Sequence, residues 1–243
     1  MPPAPRLLPK DPVEIYLDCA DSSQWALPAG CPPVVGVTTN PSLVFQAGLG
    51  VSLSTYARLV DAAGAHGMAQ LMVQLPGADV AQARAWVGDL QARAAKKGVQ
   101  LTIKLPCQPS WLACIRAVQA MDQPVLLTGL SNAVQLLWAQ SLGVDYVAPY
   151  VGRLAADTAN GGRDVWALMK ACVKAQNSEG AKGGPQLLAA SIKSPDVLSR
   201  LMGLGAAAVT LPPASLLAWS QDAITDAAVA QFDRDIAASH ALD

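Results

Sequence analysis

The sequence predicts an α/β protein that folds as a single (β/α)8 TIM barrel with an extra C-terminal helix. Short β-branched and aliphatic runs alternate along the 243 residues with longer Ala- and Leu-rich segments of helical spacing. Strict alternation of this kind is typical of parallel strands joined by right-handed crossovers. The strand segments are almost continuously apolar, as expected where helices cover a parallel sheet.

Eight segments are predicted to be strands. They span residues 14–18, 34–38, 69–75, 101–104, 125–128, 145–149, 186–190 and 207–210. Eight strands in a chain of 243 residues fit a closed barrel better than an open sheet. The alternative is a doubly wound sheet, which usually carries a glycine-rich first turn, but neither a GxGxxG nor a Walker sequence occurs here.

The segments between the strands show helical periodicity. They span residues 53–65, 79–97, 110–120, 132–142, 163–175, 195–203 and 213–219, with a last helix at 223–239. The segment 79–97 is the clearest, because its apolar residues recur at steps of three and four. Gly98, Gly143 and Gly205 follow three of these segments, where a left-handed C-cap is expected.

Composition excludes several classes of protein. Hydrophobic residues make up 52% of the chain and charged residues 14%, which is too apolar for a disordered protein. The net charge of −1 argues against a nucleic-acid-binding protein, which usually gathers a basic excess on one face. No run of ~18 apolar residues is present, so no membrane span is predicted. The sequence therefore predicts a soluble protein with an unusually apolar surface or a large assembly interface.

The N-terminus and the cysteines bear on domain organisation and location. Residues 1–12 contain five prolines and no apolar core of signal-peptide length, which predicts an extended arm before a barrel domain at 13–243. Five cysteines, without a CxxC pair and with only two histidines in the chain, show no zinc-ligand spacing. We expect buried free thiols in a reducing cytoplasm. Cys107 deserves notice because it lies just beyond a strand predicted to be functional.

Polar residues at the strand ends predict where the chemistry lies. In a (β/α)8 barrel, active-site residues gather at the C-terminal ends of the strands. The residues at these positions are Asp18, Thr38, Thr39, Asn40, Gln74, Lys104, Thr128, Tyr150, Arg153, Ser191 and Lys193.

Lys104 is the decisive member of this set. Of the eight lysines in the chain, it alone lies inside an apolar strand. A barrel lumen lowers the pKa of a lysine by desolvation, and a neutral amine can attack a carbonyl to form a Schiff base. The alternative is a structural ion pair between Lys104 and Asp18 across the lumen. Asp18 is then either that counter-ion, the proton shuttle of the carbinolamine and enamine steps, or both.

Two further groups of strand-end residues are candidates for binding. Arg153 and Lys193, with the Ser191 hydroxyl, would suit a phosphate at the barrel mouth, or they are simply solvated surface cations. The polar triplet 38–40 is expected to line the pocket, although Asn40 before a proline is also typical of a turn.

Several motifs resemble the transaldolase family. They are YLDCAD (16–21), GVTTNPSL (36–43), TIKLP (102–106), YVAPYVGR (146–153), LAASIK (188–193) and AVAQFD (228–233). The similarity runs from about residue 14 to 236, and the GVTTNPS string is highly specific. The resemblance implies a class I aldolase mechanism without metal or cofactor, in which Lys104 holds a dihydroxyacetone unit as a Schiff base.

The resemblance also implies roles for the remaining site residues. It places Asp18, Asn40 and Ser191 on the donor's hydroxyls or the lysine, Thr128 on the catalytic water, and Arg153 and Lys193 on the sugar phosphate. Small members of the family look like ring assemblies, which implies a pentamer or decamer with the C-terminal helix packed on a neighbour. That helix offers apolar Ile224, Ala227, Ala228, Phe232 and Ile236.

Two positions separate the branches of the family. Transaldolases carry a glutamate at the end of the third strand and a phenylalanine in the turn after the sixth, whereas fructose-6-phosphate aldolases carry glutamine and tyrosine. This chain has Gln74 and Tyr150. A tyrosine hydroxyl can position the catalytic water and relay a proton to and from the aldol hydroxyl. We therefore expect reversible cleavage of fructose 6-phosphate, or a close analogue, to dihydroxyacetone and glyceraldehyde 3-phosphate.

Two alternatives remain beside this prediction. A transaldolase would pass the dihydroxyacetone unit to another sugar phosphate, and a catalytically silent barrel would serve as a binding or assembly module. Ser131 stands where the aldolase branch has an aromatic residue, and Arg163 is an additional cation near the phosphate side. The sequence therefore leaves the acceptor open.

Overall fold

The computed structural model describes residues 12–157, 164–178 and 183–240. Eight parallel strands close into a barrel in sequence order, with β8 paired to β1, so the predicted (β/α)8 fold is confirmed and the doubly wound alternative is wrong. The strands are β1 (Glu14–Asp18), β2 (Gly36–Thr38), β3 (Gln70–Gln74), β4 (Gln100–Pro106), β5 (Val125–Leu130), β6 (Tyr146–Pro149), β7 (Gln186–Ala189) and β8 (Ala208–Leu211). The predicted arm falls almost wholly on residues 1–11, which lie outside the described residues.

Ten α-helices surround the barrel or follow it within the described ranges. They are α1 (Pro41–Gln46), α2 (Leu53–Ala65), α3 (Val80–Lys97), α4 (Leu112–Gln119), α5 (Ala133–Leu142), α6 (Val151–Ala155), α7 (Val165–Gln176), α8 (Pro195–Leu204), α9 (Pro213–Trp219) and α10 (Ala223–Ser239). The three predicted glycine caps are confirmed: Gly98, Gly143 and Gly205 adopt left-handed φ values of 67°, 62° and 86°. Each lets a helix end where a side chain would be strained.

The sequence patterns missed α1 and α6. Both helices are too short, at six and five residues, to display a hydrophobic repeat. The Asn40–Pro41 pair begins α1 instead of forming a turn, since Asn40 caps the helix and proline is well suited to its first position. These two helices matter because each directly follows a strand that carries site residues.

The barrel lumen is layered. Its middle is an apolar cluster separate from the main core, formed by Tyr16, Met72, Leu126, Ala148, Leu188 and Ala208. Towards the N-terminal ends of the strands lies a polar floor, where the Tyr16 hydroxyl is 2.6 Å from Gln70 Oε1 and the Gln70 amide donates to Thr102 at 2.6 Å. The C-terminal ends carry a second polar group of side chains, described below. The apolar middle layer thus separates the two polar ends.

Helix α10 differs from the others because none of its residues is buried. At least half of the surface of each large apolar side chain of α10 is exposed, and Ile224 is 81% exposed. These side chains are Ile224, Val229, Phe232 and Ile236. The helix therefore adds almost nothing to the core of its own chain. No helix among the described residues combines the length and hydrophobicity that crossing a bilayer would require.

Candidate active site

A cavity of about 670 Å³ opens at the C-terminal end of the barrel. Seven of the eleven predicted strand-end residues line it: Asp18, Asn40, Lys104, Tyr150, Arg153, Ser191 and Lys193. Three others adjoin these residues, because Thr38 and Thr128 hydrogen-bond to Asp18 and Tyr150, and Gln74 is the register partner of Lys104. Thr39 does not line the cavity, and its buried hydroxyl donates to the Met72 carbonyl at 3.3 Å. The structure therefore brings ten of the eleven together, while their roles stay predictions.

Lys104 lies deep in the lumen wall. It is the fifth residue of β4, it is only 4% exposed, and its neighbours Ile103 and Leu105 belong to the main core. Burial lowers the pKa of the Lys104 ammonium, because desolvation disfavours the charge, and the nearby Asp18 charge opposes part of that shift. The result favours a neutral, nucleophilic amine.

The predicted alternative, a structural ion pair of Lys104 with Asp18, is absent from the described part of the chain. The ion pairs found there join Asp61 to Arg93 and Lys97 between α2 and α3. The Lys104 amine is therefore close enough to sense the Asp18 charge without being tied to it.

Asp18, at the end of β1, accepts a hydrogen bond from one threonine, which in turn contacts a second threonine. The Thr38 hydroxyl donates to Asp18 Oδ1 at 2.8 Å, and Thr210 Oγ1 lies 2.7 Å from Thr38 Oγ1. Sequence reasoning missed Thr210, although it is the last residue of the predicted strand 207–210. Thr210 would have been found if the residue at the C-terminal end of this strand had been included, as it was for the other strands.

Asn40 combines the two roles considered for it. Its Oδ1 accepts a hydrogen bond from the Leu43 N–H at 3.0 Å, which caps α1, and the residue also lines the cavity. The cap uses the amide oxygen. The amide NH₂ is thereby left as the group that can donate to a ligand.

Tyr150 is fixed from two sides. Its hydroxyl lies 2.7 Å from that of Thr128, and the Arg153 guanidinium stacks over its ring at 4.7 Å from the centroid. The β5–β6 pairing shifts between Thr128 and Leu130, where Gly129 has a φ of +75°. This irregularity, typical of bulges beside active sites, sets the approach of the Thr128 strand end to Tyr150.

The segment after β7 lies tightly against the start of α6. The Gly152 N–H donates to the Ser191 carbonyl at 3.0 Å, and a Cβ at Gly152 would collide with that carbonyl and lie 2.9 Å from Lys193 Cγ. Ser191 itself has a φ of +59°, which is unusual for a residue with a side chain. This close approach places Arg153 and Lys193 on the wall of one cavity.

Two other residues noted in the sequence, Cys107 and Ser131, do not line this cavity, whereas Cys19 does. The Cys107 thiol is buried, which raises its pKa to about 11, and it contacts the Gln135 carbonyl. Cys19, Cys114 and Cys172 are also buried and free, whereas Cys31 is half-buried instead of buried. Ser131 lines an adjoining cavity of about 270 Å³ beside Tyr150 and Arg153. Arg163 lies outside the described residues.

Comparison with known proteins agrees with this architecture. The family model described as Transaldolase/Fructose-6-phosphate aldolase matches residues 15–243. A protein named probable transaldolase from Paracoccus denitrificans (strain Pd 1222) is 25% identical over 223 residues, covering 92% of this chain and 96% of that protein.

Solved structures also resemble the fold. A variant flavocytochrome b2 with sulfite bound superposes with a TM-score of 0.53 at 12% identity, over 84% of this chain and 57% of that chain. At this identity the likeness extends to the barrel fold alone. The family model, in contrast, spans nearly the whole sequence from β1 onwards. The chain therefore belongs to the transaldolase/fructose-6-phosphate aldolase family, whose members are enzymes that act on sugar phosphates.

Proposed function

We propose that this protein is a class I aldolase that reversibly cleaves fructose 6-phosphate, or a close analogue, to dihydroxyacetone and glyceraldehyde 3-phosphate. The observation that carries the proposal is the buried Lys104 amine, whose pKa is lowered by desolvation at the wall of a cavity that also holds Asp18 and Tyr150. A neutral amine in this position is a nucleophile for a ketone.

The reaction follows from these groups. The Lys104 amine attacks C2 of the ketose, and loss of water from the carbinolamine gives a protonated Schiff base, with Asp18 transferring the protons. Removal of the C4 hydroxyl proton, through Tyr150, breaks the C3–C4 bond and releases the aldehyde. The electron pair of that bond remains on the lysine-bound unit as an enamine. Protonation at C3 and hydrolysis then release dihydroxyacetone and the free amine.

The residues around Lys104 support binding of the donor and of a phosphate. Asn40 and Ser191 line the cavity, which supports contacts with donor hydroxyls, and the Thr38 hydroxyl donates to Asp18. Arg153 and Lys193 supply two cations on the same wall, and a guanidinium can grip a phosphate through two hydrogen bonds. The hydrogen bond between the Thr128 and Tyr150 hydroxyls supports the proposal that Thr128 helps to hold the water used in hydrolysis.

Two positions favour the aldolase over the transaldolase branch. Gln74, beside Lys104, is an amide and so is a weaker activator of water than a carboxylate. Tyr150 offers a hydroxyl where transaldolases carry phenylalanine. Transaldolase activity is the second candidate, and the similarity to a protein named probable transaldolase is the observation that favours it.

The first experiment tests the lysine chemistry. The protein is incubated with dihydroxyacetone, reduced with borohydride and mapped by mass spectrometry, and we expect one adduct, on Lys104. Lys104→Met should abolish the adduct, whereas Lys193→Met, which alters the phosphate side, should keep it. An adduct on another lysine, or none, would overturn the mechanism and favour a catalytically silent barrel.

The same experiment extends to the branch of the family. We expect fructose 6-phosphate alone to yield glyceraldehyde 3-phosphate, measured with a coupled dehydrogenase. Product that forms only after erythrose 4-phosphate is added would identify a transaldolase. The Lys104→Met variant is the blank for both assays.

Assembly and location are also proposals. The exposed apolar side of α10 supports a homo-oligomer, a pentamer or decamer, in which this helix packs on a neighbouring copy. Five cysteines without a disulfide, four of them buried, support a cytoplasmic location. Small-molecule sugar phosphates and dihydroxyacetone are the proposed ligands, with no nucleic acid or membrane partner.

A further inference from the structure

Thr210 is a buried polar residue that the proposed mechanism does not use. It lies on β8, is 1% exposed, and is the register partner of Tyr16 on β1. Thr38, on the other side of β1, is fully buried and is the partner of Asp18. The two threonine side chains therefore meet in the lumen in front of β1, where their hydroxyl oxygens lie 2.7 Å apart.

The direction of this hydrogen bond follows from counting protons. A threonine hydroxyl has one proton to donate and lone pairs to accept, whereas an ionised carboxylate only accepts. Thr38 lies 2.8 Å from Asp18 Oδ1, so its single proton is used on the carboxylate. Thr38 can then only accept from Thr210. The chain of bonds runs in one direction, from Thr210 through Thr38 to Asp18.

Without Thr210, the Thr38 hydroxyl would be free to rotate. An unsatisfied buried hydroxyl is costly, and a chain of polarised hydrogen bonds strengthens each member. We propose that Thr210 is a positioning residue, which fixes the Thr38 hydroxyl in the rotamer that donates to Asp18 and thereby holds the carboxylate towards the Lys104 amine. The inference rests on the proposed aldolase function, since it assigns Asp18 the proton transfers of that reaction.

The decisive variant is Thr210→Val, which keeps the β-branched shape and removes the hydroxyl. We expect kcat for fructose 6-phosphate cleavage to fall roughly tenfold with KM nearly unchanged, because a proton-transfer group is misplaced while the binding groups stay. Thr210→Ser restores the donor and is expected to recover most of the rate. Thr210→Ala removes the hydroxyl without adding a second buried methyl group, and its kcat should be as low as that of the valine variant. It replaces the valine variant in the test if that variant does not fold.

A matched control comes from the lumen floor. Thr102 is likewise a fully buried threonine in a barrel strand, but its hydroxyl accepts from Gln70, beyond the apolar middle layer. Thr102→Val should lower the melting temperature and leave kcat within about twofold of the native value. A drop in kcat as large as that of Thr210→Val would show that any buried threonine of the lumen matters, and would overturn the proposal.

A double-mutant cycle with Thr38→Val completes the test. If Thr210 acts through Thr38, the double variant should have the kcat of Thr38→Val alone, because the two changes break one chain. The proposal would be overturned if kcat of the double variant fell by the product of the two single effects. It would also be overturned by an unchanged kcat in Thr210→Val or by no recovery of kcat in Thr210→Ser. Failure of the proposed function is distinct, since the native protein would then form no Lys104 adduct.

Discussion

At the scale of single residues, the burial of Lys104 in the lumen opposes the stability of the fold. Lys104 is surrounded by apolar strand residues. The Asp18 carboxylate influences the pKa of Lys104 but does not form an ion pair with it. A buried ammonium without a close partner destabilises the fold. Such a residue is expected where function, not stability, determines the sequence.

This conflict predicts that Lys104→Met stabilises the protein by roughly 1–2 kcal/mol at neutral pH, since methionine fills a similar volume without a charge. Chemical denaturation measures the free energy of unfolding, and Lys170→Met on α7, an exposed lysine, is the control that should change it by less than ~0.5 kcal/mol. A Lys104→Met variant less stable than the native protein would contradict the account of Lys104 burial.

The same variant has a predicted pH dependence. The folded-state pKa of Lys104 is lowered, so between that value and the ordinary 10.5 the unfolded chain binds a proton that the folded chain lacks. Native stability therefore rises with pH through this window, and the advantage of Lys104→Met shrinks. A stability difference that stays constant as the pH is raised would contradict the lowered pKa.

Residue-scale prediction from the sequence singled out side chains whose polarity contrasts with their surroundings. Lys104 stood out because it interrupts an apolar strand. The expectation that site residues follow the C-terminal ends of barrel strands placed nine of the other ten candidates at or beside one cavity. The sequence did not single out Thr210, because threonine is common in strands and does not differ in polarity from what is expected there. Only the approach of β8 and β2 across β1 shows that this hydroxyl has a partner.

At the scale of elements, the site depends on the contact between α6 and the segment after β7. Gly152 permits it, since the Ser191 carbonyl occupies the space of a Cβ. The long periodic helices were predicted to within about two residues. The short helices that carry Asn40 and Arg153 into the site were not, because their positions follow from caps and tertiary contacts.

Gly152→Ala is therefore predicted to destabilise the protein by about 1–3 kcal/mol and to raise KM for phosphorylated substrates, because the Ser191–Lys193 segment must move away from α6. Thermal unfolding and steady-state kinetics measure the two effects. The control is Gly203→Ala on α8, where a Cβ meets no atom within 4 Å and the helix should gain about 0.5–1 kcal/mol. Equal behaviour of the two variants would show that the contact is not tight.

At the scale of the whole molecule, the chain divides into a self-sufficient barrel and an external helix. The barrel core and the lumen cluster together bury most large apolar side chains, whereas α10 leaves an apolar side to solvent. An exposed apolar surface of this kind typically marks an interface. The sequence predicted the bounds of α10 from its pattern, but its lack of contacts within the chain is visible only in the structure.

If the proposed oligomer forms, Phe232→Asp should dissociate it into smaller species while leaving the barrel folded, because the change puts a charge on the apolar side of α10. Sedimentation velocity measures the size and circular dichroism the fold. Ala230→Asp adds the same charge two residues earlier, about 200° around the helix, and should leave the size unchanged. A native protein that already sediments as a monomer would refute the proposed oligomer.

The apolar middle layer of the lumen affects how ligands and solvent reach Lys104. Among the described residues, its buried side chains lie between the polar floor and the cavity, and we infer that Lys104 is reached from the cavity side. In the proposed mechanism, substrate, product, the water of hydrolysis and the exchanging protons would then all pass through the cavity. A ligand filling the cavity therefore also shields the reacting protons, and hydrogen-isotope exchange at the enamine carbon should slow whenever an inhibitor or product occupies the mouth.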